Sequence, residues 1–132
     1  MRVAAWIPLL ALLPQDPVET SFEVLAGFDY RPGMVLPAEV KKLDEQTVTL
    51  RGFMMREVPG SDPVGQFLLI NDACGCNGTP KLNEIVYCAL PDGVTTDVRP
   101  GIVHVTGKLY VGEQREDGEV FAIYVLDADR VR

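Results

Sequence analysis

Two cysteines one residue apart, Cys74 and Cys76, and a third at Cys88 are the side chains best suited to chemistry, and all three fall between Phe67 and Leu90. Residues i and i+2 of an extended backbone point the same way, so the first two thiols could jointly hold a soft ion such as zinc or copper(I). A structural zinc site takes four ligands. The further donors are Cys88, the single histidine His104, and the carboxylates Asp72 and Glu84. In an oxidising compartment cysteines pair instead. Cys74 or Cys76 bonded to Cys88 would clamp the connector to its own strand, whereas a Cys74–Cys76 bond would close a small, strained and readily reduced ring. The structural disulfide ranks first, the metal pair second and thiol redox third. Cys88 itself shares a strand face with Val86 and Leu90, where a cysteine serves as a small core residue.

Other catalytic classes lack their parts. The one histidine sits on an outward strand face, no Gly-x-Ser-x-Gly occurs, and no phosphate-cradling glycine loop or dinucleotide fingerprint is present. With 12 basic and 19 acidic residues the net charge is −7, a field that repels phosphate backbones, so nucleic acid is not an expected partner. The outward residues Arg51, Phe53, His104, Lys108 and Tyr110 are too few to bind a strand of nucleic acid against that background. They form a candidate surface for a peptide, a partner protein or a small ligand.

The elements that must position these groups read as short strands. Phe67–Ile70 and Ile85–Leu90 are apolar, rich in β-formers and bounded by Asn, Asp, Gly or Pro, as neighbouring buried strands are. The connector from Asn71 to Glu84 exceeds a tight turn and is of a kind that often carries function. Ahead of it, Thr47–Arg56 alternates with Val48, Leu50, Gly52 and Met54 inward, and Gly52 suggests a bulge or bend. Ile102–Val111 alternates likewise, with Val103, Val105, Gly107, Leu109 and Val111 inward. A tip at Glu116–Gly118 then returns the chain into Phe121–Leu126, with Phe121, Ile123 and Val125 expected on one side. Pro37–Leu43 reads as one or two helical turns with Val40 and Leu43 inward.

Together these predict a mainly β fold, a small five-stranded OB-like barrel with one short N-terminal helix, spanning residues 37–132. A β-sandwich is the weaker alternative, because seven strands are not found. Residues 14–36, punctuated by proline and glycine, read as an extended arm tacked on by Phe22, Leu25, Phe28 and Tyr30. Residues 1–13, with Arg2 followed by a short apolar run, have the form of a signal segment too short to span a bilayer. That predicts a periplasmic or secreted protein with no transmembrane span in its mature form.

LPAEVKKLDEQTVTLRGFMM, then FLLIND, then Cys74 with PKLNEIVY a few residues on, resembles the bacterial envelope proteins grouped as the domain-of-unknown-function family numbered 3299. The likeness covers residues 36 to 90. It implies an exported domain without an established activity. By that resemblance Cys74 falls on the family cysteine, Cys76 on its histidine, Pro80 on one of its prolines and Asn83 on its asparagine, while Glu84 stands where glutamine is usual. Cysteine in place of histidine exchanges one soft ligand for another, but would break any requirement for an imidazole base.

Overall fold

The computed structural model describes residues 16–71 and 78–132. The signal-like segment and the residues Asp72, Cys74 and Cys76 lie outside that range. Among the described residues six strands form one mixed sheet: β1 (Val18–Thr20), β2 (Gln46–Met55), β3 (Gln66–Ile70), β4 (Ile85–Ala89), β5 (Ile102–Glu116) and β6 (Glu119–Val131). Helical structure among the described residues is confined to short turns: α1 (Phe22–Leu25), α2 (Ala38–Lys41) and a 3₁₀ turn, Leu82–Glu84. A sandwich of two sheets is thereby set aside.

The sheet runs β1-β2-β3-β4-β6-β5, and β2 also pairs with β5, so hydrogen bonding passes from β2 through β3, β4, β6 and β5 back to β2. All of these pairings are antiparallel except β4 with β6, where Tyr87, Cys88 and Ala89 run parallel to Val125, Leu126 and Asp127. The sequence predicted five strands, and the sixth arises from a vacancy on β2. On β2, β3 covers only Phe53–Met55, which leaves the edge beside Val48–Leu50 open, and β1 fills it in parallel. The predicted arm is therefore part of the sheet.

Alternation selects the core. Val48, Leu50, Val103, Val105 and Leu109 project inward with Phe67, Leu69, Val86 and Cys88 into one buried cluster. α1 contributes Phe22 and Leu25, while Val40 and Leu43 of the α2 segment are buried as the Pro37–Leu43 reading expected. Buried area of this kind is the main favourable term for a domain of this size. The arm is fixed at its centre by Tyr124, whose buried hydroxyl donates to the Leu25 carbonyl at 2.7 Å.

Three local expectations change. Gly52 is no bulge: it pairs in unbroken register with Val103. It is glycine because a Cβ there would stand 2.8 Å from the Ile70 carbonyl oxygen and 2.9 Å from the Leu69 side chain. The irregularities lie in the β5–β6 ladder instead, at Thr106/Gly107 and on either side of Gln114. Second, Phe121, Ile123 and Val125 of β6 do not share one environment, for Ile123 is buried in the core and the other two are not. Leu126 opposes core residue Leu109, which turns Leu126 and Ala128 inward and leaves Phe121 42% exposed and Val125 half-buried. Third, the hairpin is longer than read. Its ladder continues through exposed residues to a two-residue tip, Asp117–Gly118, whose positive φ values of 53° and 81° suit the right-handed twist of paired strands.

Candidate functional site

β2 and β5 carry the five predicted surface residues on their outer face, and the register divides them. Arg51 lies directly opposite His104. Both backbone hydrogen bonds of His104 go the other way, to Arg132, at 2.7 and 2.8 Å. Arg51 and His104 therefore form the closer, non-hydrogen-bonded kind of cross-strand pair, with their side chains adjacent. Lys108 and Tyr110 occupy the far end of the same face, where the Lys108 ammonium sits 5.5 Å from the Tyr110 ring centre. Between the two ends, Thr49 and Thr106 are buried and share a hydroxyl–hydroxyl hydrogen bond of 3.0 Å. Phe53 opposes Ile102 on one side and Ile70 on the other, on the apolar part of the face. Along the face the order is therefore Lys108 with Tyr110, the two threonines, Arg51 with His104, and then Phe53, so the five residues do not make one patch.

The Arg51–His104 pair opens into a cleft of about 460 Å³, lined on the other side by Glu19 of β1, Ser21 between β1 and α1, and Glu23 of α1. Among the described residues no ion pair within 4.0 Å joins Arg51 to either glutamate, so opposite charges face one another across open space. Sequence reading found the cationic wall, because both residues fall on outward positions of alternating strands. It missed the acidic wall, because nothing local to Glu19 announces that β1 docks beside β2.

The cysteine-centred readings gain no support. Cys88 carries a free thiol buried in the core, its Sγ 3.8 Å from the Val86 carbonyl oxygen, and burial pushes its ionisation well above the ordinary thiol range. A clamp through Cys88 is therefore not formed, because the strand turns this residue inward with Val86. Among the described residues no group of three His, Cys, Asp or Glu side chains could hold a metal ion. The further ligands considered from sequence are dispersed: Cys88 faces the core, His104 lies on the outer face of β5, and the Glu84 carboxylate accepts the Lys81 backbone N–H at 2.9 Å, capping its own 3₁₀ turn. Asn83 in that turn is buried. Its amide donates to the Phe28 carbonyl at 2.7 Å, while its Oδ1 has no partner among the described residues. Pro80 lies half-buried just before the turn.

A second arrangement, which sequence reading did not find, ties the arm to the β5–β6 hairpin. The Glu113 carboxylate accepts the Tyr30 hydroxyl at 2.5 Å, the Gly33 N–H at 2.6 Å and the Arg115 guanidinium at 3.0 Å. The Tyr30 hydrogen bond, followed by that of Gly33, holds the carboxyl below its ordinary range. Burial and then the same hydrogen bond push the Tyr30 phenol up to about 12. From sequence only the hairpin tip at Glu116–Gly118 was visible. The partners 83 and 80 residues away were not.

Fold and surface together define a mainly β domain with a charged cleft on one face of its sheet. The chain belongs to the family described as "Protein of unknown function (DUF3299)", whose model matches residues 26–132. That match extends well beyond the stretch in which the resemblance was legible. A crystallised DUF3299 family protein from Pseudomonas aeruginosa PAO1 is similar in fold, with a TM-score of 0.61 and 23% identity over 89% of this chain and 95% of that one. The Stn1–Ten1 complex of S. pombe is a more distant likeness, with a TM-score of 0.41 and 14% identity over 92% of this chain and 79% of that one. No curated protein matches the chain.

Proposed function

We propose that this chain is an exported, non-enzymatic binding or accessory domain whose ligand-facing surface is the part of the β2–β5 face around Arg51 and His104. The observation that carries the reading is the cross-strand pair Arg51 and His104 at the mouth of a charged cleft. Concave sites with a few convergent polar groups are where small ligands bind. The scaffold is read as an OB-like barrel of β2 to β6. Its support is the cyclic order of pairings and the parallel contact of β4 with β6. Export is supported by the apolar run after Arg2. Among the described residues no helix is long and apolar enough to cross a membrane.

Chemical-shift mapping tests the site. With ¹⁵N-labelled protein titrated with acetate, inorganic phosphate, ethanolamine and glycine, saturable shifts should gather at Arg51, His104 and their strand neighbours. Shifts confined to other faces, or none at all, would overturn the assignment of this surface. Export is tested separately by cell fractionation and N-terminal sequencing, and recovery of intact Met1 from the cytoplasm would refute it.

A further inference from the structure

Beside Arg51 and His104 of the cleft, the register shift in β6 sets two more arginines on the same face of the sheet. Leu126 and Ala128 oppose Leu109 and Gly107 and face inward. Simple alternation would then turn Arg130 inward as well. Instead Ala128 pairs with Gly107 and Arg130 with the very next residue, Thr106, leaving Asp129 as the extra residue of a bulge. Bulges re-aim side chains in this way. Beyond it Arg130 shares the outer face with Thr106, Val131 returns inward opposite Val105, and Arg132 stands outward opposite His104.

The result is a row across three strands, Arg51–His104–Arg132, with Arg130 beside it, all exposed. Neighbouring strands lie about 4.8 Å apart, so the row is about 10 Å long. Among the described residues none of its three arginines takes part in an ion pair. On a chain of net charge −7 this is a local reversal of sign. Glu19 and Glu23 face it across the cleft, while Asp129 in the bulge and the Asp127–Lys108 pair flank it. A plain anion would be drawn to the row but repelled by the two glutamates, and a plain cation would meet the reverse. The arrangement favours a ligand carrying both signs.

Resting on the binding-surface reading above, we propose that this cleft binds an amphoteric group, with a phosphate held by the Arg51–His104–Arg132 row and an ammonium directed to Glu19 and Glu23. Arginine suits phosphate because its planar fork donates two parallel hydrogen bonds. Such a group occurs both in free amino-alkyl phosphates and in zwitterionic lipid headgroups.

The test uses the intact protein and four probes: phosphoethanolamine, inorganic phosphate, ethanolamine, and vesicles containing phosphatidylethanolamine. Phosphoethanolamine should bind at least about tenfold more tightly than either half alone, since each half forgoes one set of charge-assisted hydrogen bonds. Arg132→Gln and Glu23→Gln should each remove most of that preference, and circular dichroism should show both exposed variants folded. Binding of the vesicles as well would assign the headgroup as the source, and binding of the soluble compound alone would assign the free molecule. Equal affinity for phosphate and phosphoethanolamine would overturn the amphoteric assignment while leaving a ligand surface at Arg51 and His104. Failure of every probe to shift this face would remove both.

Discussion

Replacing Tyr124 by phenylalanine isolates the bond that joins the arm to the sheet. The hydroxyl donates at 2.7 Å to the Leu25 carbonyl, in a buried setting, and among the described residues nothing else donates to that oxygen. Removing the donor forfeits a net hydrogen bond and strands a buried acceptor, which together cost about 1–3 kcal/mol at pH 7. For a chain of this length that corresponds to a fall in Tm of roughly 4–10 °C. The pH dependence gives a second reading of the same bond. Burial raises the Tyr124 ionisation above its ordinary value. The folded state therefore holds this proton where the unfolded chain, with its phenol ionising near 10, releases it. Stability from the neutral phenol is full below pH 10 and is lost as pH rises toward the folded value, by about 1.4 kcal/mol per unit. Tyr124→Phe lacks this loss, so the gap between the two proteins should narrow above pH 10 and close near roughly pH 11.5. Urea unfolding at pH 7, 9, 10.5 and 11.5 measures it. Equal stability at pH 7, or a gap that stays constant to pH 11.5, would refute the reasoning.

Gly107→Ala should destabilise by about 3 kcal/mol or more in urea melts, as overpacking against backbone does, because its Cβ would stand 2.1 Å from the Asp127 carbonyl oxygen. The Glu113 carboxyl is held low in the folded chain, chiefly by Tyr30, so its stabilising effect is present above the unfolded carboxyl range and lost as pH falls through the folded value. An acid titration followed by NMR should show the Gly33 amide losing its shifted resonance in that window in the wild type and not in Glu113→Gln. The buried Cys88 thiol should resist a disulfide reagent in native protein and react on unfolding. Prompt native labelling of Cys88, located by mass spectrometry, would contradict its placement.

Legibility in the sequence followed the contrast between neighbouring residues. In Ile102–Val111 apolar and polar residues alternate, so both strand and face could be read, and the buried set Val103, Val105 and Leu109 agrees with it. FAIYVL is apolar at every position, which marks a strand but leaves its phase open until Leu126 meets Leu109. β1 is three residues, VET, with two of them exposed, and it exists only because β2 offers an edge. The candidate site divides along the same line. Arg51 and His104 were visible from their own strands. Glu19 and Glu23 needed the docking of the arm, and Arg130 and Arg132 needed a bulge that no residue type near Asp129 signals.

The ring of pairings also sets an order of assembly. The β5–β6 hairpin joins sequence neighbours through a two-residue tip and can form by itself, whereas β2 must wait for β5, Gln46 meeting Leu109 and Phe53 meeting Ile102. Loop closure over such distances precedes any reward from contacts, so the chain should fold slowly, as proteins dominated by non-local pairing do. The hairpin should then serve as the template onto which β2 and β4 add from opposite edges, and the arm, whose anchor spans 99 residues, should dock last. Mutations in the β5–β6 ladder should slow refolding in stopped-flow experiments, whereas Tyr124→Phe should chiefly hasten unfolding.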